Sequence, residues 1–238
     1  MQQAVQFSVH NNIGIITLNR PERKNAINQE LLAGLYKSVN EISENDEIKV
    51  GIITGNGDSF CSGIDLKALQ NGENLFDPLG DKKGMVEVFS SCKKPLIGAV
   101  NGYAITGGFE IALNCDFLIA SENAFFRDTH ALVGIHPGWG MSQLLSQAVG
   151  RRMAKQMSMT CEPVSAQKAL ECGLVNEVVC RDDLMKRTVE IAEMITGVNQ
   201  GIMLQMKELC EKGDSLLFDD CIREEEKGFQ NFVAMFSK

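Results

Sequence analysis

The sequence predicts an α/β fold with both faces of its sheet covered. VGIIT (50–54), PLIGAV (95–100) and DFLIA (116–120) are short apolar runs without polar alternation, as strands buried on both faces require. A helical pattern follows each of the first two, and strands alternating with helices imply helices layered on a sheet. Two glycine-containing turns stand at strand exits.

The remaining elements follow in chain order. Val5, Phe7 and Val9 alternate with polar neighbours, and IGIITL (13–18) follows a polar turn at Asn11-Asn12, so the pair predicts a hairpin. From Asn28, a fair N-cap, Leu31, Leu35, Val39 and Ile42 recur at helical spacing. Gln70 to Gly84 is rich in Gly, Asn and Asp and predicts a mobile surface loop. SAQKALECG (165–173) predicts a compact helix capped by Ser165 and stopped by Gly173, and VNEVV (175–179) an edge strand. Beyond about residue 183 the pattern is purely helical, through the acidic run Asp219 to Glu226. It ends in FQNFVAMF, a tail apolar enough to predict docking on the core or on a neighbouring subunit.

Composition narrows the function classes. A chain of 238 residues, 44% apolar and 23% charged, builds one large core, or one core plus an appendage, of an ordinary soluble kind. No apolar run approaches the ~20 residues of a membrane-spanning helix. MQQAVQFSVHNN lacks the basic start and apolar stretch of a secretory signal, so a cytoplasmic setting is expected. The eight cysteines are scattered singly with no Cys-x-x-Cys pair, and the three histidines add no zinc spacing. Buried free thiols in a reducing cytosol, and no metal site, are the expectation. A net charge of −8 argues against nucleic-acid or anionic-membrane partners, which need a broad basic patch. A small phosphorylated ligand needs only a few local cations, and Arg20-Pro21-Glu22-Arg23-Lys24 supplies them.

Two strand exits could carry chemistry: GNGDSFCSGIDL (55–66) and NGYAITGGFEIAL (101–113). Their glycines let backbone approach a ligand, and two such turns converging on one point could hold an oxyanion between amide donors. Tight strand–helix packing explains the same glycines equally simply. Glu110 is either a first-turn dipole partner or, among Phe109, Ile111, Ala112 and Leu113, a carboxyl raised toward proton-transfer range. His130 taken alone reads first as a hydrogen-bonded core histidine. A triad of Ser62 or Cys61 with His130 and Asp128 is disfavoured, because Asp128 lies only two residues away on an extended segment and no Gly-x-Ser-x-Gly elbow is present. NGYAITGG is no dinucleotide fingerprint either.

Taken in order, LNRPERKNAIN (18–28), GNGDSFCSGIDL (55–66), KPLIGAVNGYAITGGFEIALNCDFLIAS (94–121), VGIHPGWGMSQLLSQAVGRRMAKQM (133–157) and SAQKALECGLVNEVV (165–179) resemble the crotonase, or enoyl-CoA hydratase/isomerase, superfamily. The pairing of Ser-Gly-Ile-Asp-Leu with Asn-Gly-Tyr-Ala-Ile-Thr-Gly-Gly-Phe-Glu about 45 residues later is the specific part. The resemblance implies a ββα spiral core over 1–182 and a helical region over 183–238 that assembles as a homotrimer or dimer of trimers. It implies an acyl-CoA thioester substrate, with CoA as part of the substrate and no further cofactor. Its carbonyl would be held by the amides of Ile64 and Gly107, each worth about 3–4 kcal/mol to a developing enolate. Ala26, Ser62, Asp65 and Leu66 fall on segments that line the CoA groove, Arg23 and Lys24 match its phosphates, and Gly138 and Trp139 border the acyl group.

In hydratases of this superfamily two glutamates grip a water molecule. The first corresponds to Glu110; at the second position, twenty residues on, this chain has His130. A Glu/His pair still supports syn hydration, since imidazole exchanges protons near neutral pH. Reversible hydration of 2-enoyl-CoA is therefore the reading, with double-bond isomerisation, CoA-thioester decarboxylation or hydrolysis, and a catalytically quiet acyl-CoA binder as alternatives.

Overall fold

The computed structural model describes residues 3–213 and 216–236. Strands β1 (Val5–His10) and β2 (Ile13–Leu18) form the expected antiparallel hairpin, turning on Asn11 and Asn12 at φ 49° and 67°. Asparagine tolerates this left-handed region better than most residues. Helix α1 (Gln29–Glu44) begins where the Leu31 amide donates to Asn28 Oδ1 at 3.0 Å, and it buries the predicted stripe Leu31, Leu35, Val39 and Ile42.

From β3 onward the chain repeats one pattern three times. A strand, β3 (Val50–Gly55), is followed after a tight turn by a shorter strand, β4 (Ser59–Cys61), and then by helix α2 (Leu66–Gln70). After helix α3 (Met85–Ser90), β5 (Leu96–Val100), β6 (Tyr103–Ile105) and α4 (Gly107–Leu113) repeat the unit. Strands β7 (Phe117–Ser121) and β8 (Phe125–Arg127) with α5 (His130–Val133) repeat it again. Helix α6 (Met141–Thr160), β9 (Val164–Ser165), α7 (Ala166–Glu171), β10 (Glu177–Val179) and α8 (Leu184–Thr196) complete this part of the chain. The first strand of each unit joins a six-stranded sheet ordered β1-β2-β3-β5-β7-β10, and the second joins a four-stranded sheet ordered β4-β6-β8-β9. This is the ββα spiral that the resemblance implied.

The large sheet is parallel from β2 to β10 and buried on both sides. One face packs into the main core with α1; on the other, Ile13, Val50, Ile52, Ile97, Ala99 and Ile119 meet Leu184 and Ala192 of α8. Two covered faces are why β3 and β5 read as continuous apolar runs. Strand β10 lies at the sheet edge, as VNEVV predicted, and α7 carries the Ser165 cap, whose hydroxyl accepts from Lys168 N at 3.3 Å. The three-residue strands β4, β6 and β8 escape sequence reading because so short a segment shows no period.

The chain forms two compact units, Met1–Thr196 and Gly197–Lys238. The helical region starts near 183 as the pattern suggested, but its first helix belongs to the first unit because α8 covers the sheet. The second unit holds α9 (Gln200–Lys212) and α10 (Phe218–Phe236), tied by Lys212 Nζ to Glu224 at 3.0 Å. Phe218, Phe229, Phe232 and Val233 of α10 are exposed within the chain; the side chains of 234–236, also in the apolar tail, lie outside those described. Segment 70–84 is irregular as expected, yet it is anchored: Leu75 is buried and Glu73 Oε2 accepts the Gln29 amide at 2.8 Å. No disulfide joins the eight cysteines, but only Cys61, Cys92 and Cys161 are buried, while Cys180 and Cys210 are exposed, which corrects the expectation of uniformly buried thiols.

Gly108 sets how closely α4 approaches β4. A Cβ there would lie 2.1 Å from the Cys61 carbonyl oxygen, an atom of the backbone that cannot yield cheaply. Gly108→Ala is expected to lower stability by about 2–3 kcal/mol in urea unfolding. Gly138→Ala, where an added Cβ meets nothing within 4 Å, should leave the midpoint in place.

Candidate active site

Strands β4, β6 and β8 are parallel neighbours; β4 shifts register by one residue between Ser59 and Cys61, which sets Cys61 opposite Ala104, and Ala104 lies opposite Phe126. Chains leaving the same end of adjacent strands emerge about 5 Å apart. The exits 62–65, 106–110 and 128–130 therefore lie side by side, although up to 68 residues separate them in sequence. This row contains every residue the sequence singled out for chemistry at the carbonyl and double bond.

The first two exits form the amide pair. Ile27 and Ile64 make an isolated parallel bridge in which the Ile27 amide donates to Gly63 O at 2.8 Å and the Asp65 amide to Ile27 O at 2.9 Å. Ile27 thus bonds to the residues flanking Ile64, which turns the Ile64 amide to the opposite side. Gly63, at φ +90°, presses on the start of α4: a Cβ there would lie 2.8 Å from Ile105 O and 3.5 Å from Gly107 N. Gly107 opens α4, where an amide has no acceptor one turn earlier. Among the described residues, neither the Ile64 nor the Gly107 amide donates to a turn, loop or cap acceptor. Thr106 just before it sits at φ 50°, ψ −108°, a strained conformation for a β-branched residue. Three contacts hold it there: its amide donates to Arg127 O at 2.8 Å, its Oγ1 accepts the Thr129 amide at 3.1 Å, and the two threonine hydroxyls bond to each other.

The second and third exits bring together Glu110, His130 and Asp128, all buried. Glu110 Oε1 accepts the amides of Trp139 at 2.9 Å and Met141 at 3.3 Å, and Oε2 lies 3.7 Å from His130 Nε2. On the other side of the ring, Nδ1 is 2.7 Å from Asp128 Oδ1, which also accepts the His130 amide at 3.0 Å. The expectation that Asp128 is badly placed to orient His130 is therefore wrong. The chain does not stay extended: Thr129 bends (φ −113°, ψ 12°) and His130 opens a helical turn, so residues two apart meet.

Burial and mutual charge set the protonation of the three groups. Burial raises Asp128, but hydrogen bonds from the His130 ring and amide and from the Ser158 hydroxyl outweigh it and hold the carboxyl below its ordinary range. Burial depresses His130, yet its bond to Asp128 and the charges of Glu110 and Asp128 prevail and hold it above 6.5. For Glu110 burial dominates the two amide bonds and the imidazolium charge, and the carboxyl is raised above 4.5. Asp128 therefore favours its ionised form, while His130 and Glu110 each hold a proton more tightly than they would in water. A nucleophilic triad is excluded: both ring nitrogens face carboxylates, burial pushes the Cys61 thiol up to about 12, and Ser62 Oγ lies 3.5 Å from Arg23 O.

Alongside the amide pair runs a second edge. Arg23 and Lys24 are exposed, with Lys24 Nζ 5.2 Å from the Tyr103 ring centroid, and Lys24 O accepts the Ser62 amide at 3.0 Å. Ala26 and Ser62 are half-buried and Leu66 is exposed. Asp65 differs from the expectation of a groove residue: its carboxylate turns inward to Arg20 at 3.2 Å and caps α2 by accepting Lys67 N at 3.1 Å. Burial raises Asp65, but the Arg20 guanidinium and the cap hold it below the usual carboxylate range. Arg20, which also donates to Ala26 O, was legible only as part of a basic cluster. Trp139 is buried with its ring against Gly107, where a Cβ would lie 2.9 Å from Cζ3, whereas Gly138 is exposed. Among the described residues no cluster of His, Cys, Asp and Glu is arranged to hold a metal ion.

Residues 8–237 match the family model described as enoyl-CoA hydratase/isomerase. The chain belongs to the enoyl-CoA hydratase/isomerase family. It is 41% identical over 203 residues, 84% of this chain and 76% of the relative, to a probable peroxisomal enoyl-CoA hydratase of Arabidopsis thaliana. It is 36% identical to a short-chain-enoyl-CoA hydratase of Clostridium acetobutylicum, covering 91% of this chain and 84% of that one. Among solved structures, an enoyl-CoA hydratase of Mycobacterium smegmatis superposes with a TM-score of 0.80 at 37% identity, covering 98% of this chain and all (100%) of that one. The enoyl-CoA hydratase EchA1 of Mycobacterium marinum gives 0.90 at 29% identity, covering 100% and 92%. The spiral core and the row of strand exits are thus a family architecture.

The thiol environments are directly measurable. Iodoacetamide at mildly alkaline pH should alkylate the exposed Cys180 and Cys210 first and leave Cys61 unmodified until the protein is unfolded, as read by peptide mass spectrometry. Labelling of Cys61 at the rate of Cys180 would contradict its closed environment.

Proposed function

We propose that this chain is a reversible 2-enoyl-CoA hydratase in which Glu110 and His130 move the protons. The observation that carries the reading is the pair's separation beside the two amides. At 3.7 Å, Glu110 Oε2 and His130 Nε2 are too far apart for a good direct hydrogen bond, yet one water oxygen can bond to both.

The thioester carbonyl accepts from the Ile64 and Gly107 amides, which draws charge toward its oxygen. Ionised Glu110 takes a proton from water as the water oxygen bonds to Cβ. The displaced π electrons move onto the thioester oxygen as an enolate, which the two donors stabilise by about 3–4 kcal/mol each. As the enolate collapses, His130 Nε2–H delivers its proton to Cα on the same face. Glu110 then carries a proton and His130 lacks one, and transfer between the facing atoms restores the pair. Arg23 and Lys24 serve the CoA phosphates, Ala26, Ser62 and Leu66 line its groove, and Gly138 and Trp139 border the acyl group. Asp65 shapes that groove through Arg20.

The exposed apolar side chains of α10 support assembly as a homotrimer or a dimer of trimers. Eight cysteines that form no disulfide support a reducing, cytoplasmic setting, and no described helix is long and apolar enough to cross a membrane.

The test is loss of enoyl-thioester absorbance when the purified protein meets crotonyl-CoA and water. Glu110→Gln and His130→Ala should each lower kcat by at least ~10²-fold. A loss of only a few-fold at His130 would return it to the core-histidine reading. The rate should follow a bell in pH. Its acid limb lies above 4.5, where protonation of Glu110 removes the base, and its alkaline limb above 6.5, where His130 loses the proton it donates.

A further inference from the structure

We propose that Asp128 is a positioning residue that acts through His130, holding the imidazole with Nδ1 protonated and Nε2 turned toward Glu110. One carboxylate oxygen, Oδ1, receives both the ring Nδ1 at 2.7 Å and the His130 amide at 3.0 Å, so the same acceptor fixes backbone and ring together. Asp128 is 3% exposed, which leaves little room for water to compete for Nδ1, and the Ser158 hydroxyl of α6 helps keep its carboxyl ionised. Neutral imidazole has two tautomers, and an anionic acceptor at Nδ1 admits only the one carrying the proton there. Nε2 is then an acceptor in the neutral ring and a donor in the charged ring, so the nitrogen facing Glu110 cycles while Nδ1 does not. The charged groups facing the ring are Glu110 from α4 and Asp128 from the end of β8; α6 contributes the serine hydroxyl to Asp128.

The inference deepens the hydratase reading and rests on it for what Nε2 meets, but not for the ring geometry. An aspartate that merely closed the α5 turn through the His130 amide would be structural, so the test must separate the two roles. Asp128→Asn should reduce kcat for crotonyl-CoA on the order of 10²-fold with little change in KM. It should also move the alkaline limb of the rate profile to lower pH, because the imidazolium loses an anionic partner. In a His130→Gln background the same substitution should cost little, since the group through which Asp128 acts is gone. An equal loss in both backgrounds, or an alkaline limb that stays in place, overturns the proposal. Should Asp128→Asn not fold, ¹⁵N NMR of the imidazole in the unmodified protein decides: Nδ1 protonated on both sides of the titration supports it, and Nε2 protonated in the neutral ring overturns it. If the unmodified protein fails to hydrate crotonyl-CoA, the hydratase reading falls, while the NMR measurement still tests Asp128 by itself.

Discussion

Two carboxylates and an imidazole lie together in a space nearly closed to water, and the rest of the site is arranged around making that tolerable. A single buried charge would be strongly disfavoured. Here Asp128 is compensated by the ring and by hydrogen bonds, while Glu110 rests one oxygen on two backbone amides. The compensation is incomplete: burial raises Glu110 above its ordinary range, and the two neighbouring carboxylates raise His130 above its own. A group that must both accept and release protons is served by this imbalance, whereas a fully paired ion cluster would be inert.

Holding such a cluster together requires three chain segments at fixed spacing, and the small sheet provides it. Parallel pairing of β4, β6 and β8 sets the lateral distance, and register sets where each chain leaves its strand. The large sheet carries most of the visible strand pattern, yet the candidate site lies at the ends of the small one. Because each turn of the spiral contributes one strand to each sheet, burial of the large sheet positions the exits of the small one.

Close backbone approach is the second constraint. Gly63 and Gly108 allow the segment after β4 to touch the start of α4, and Thr106 holds a backbone conformation that β-branched residues avoid. That strain is balanced by bonds to Arg127 and Thr129, residues of the next exit. The two exits are therefore mechanically linked: the segment that aims the Gly107 amide is tied to the segment that presents His130.

From the amino-acid order alone, the hairpin, α1 with its Asn28 cap, the long strands and the Ser165-capped helix were legible, since each rests on local periodicity and local hydrogen bonds. The order of motifs also singled out Glu110, His130 and the two glycine turns, which strand pairing brings to adjacent exits. The short strands β4, β6 and β8 were not legible, having no period to show. Nor were the partners of the charged groups: that Asp65 answers Arg20, that Oε1 of Glu110 is held by Trp139 and Met141, and that Asp128 turns back to His130. Sequence records which groups are present and how far apart they lie along the chain. Which of them share a space, and so what charge each carries, is decided by strand register and by a bend at Thr129, because electrostatic interaction depends on distance through the fold and not along the chain.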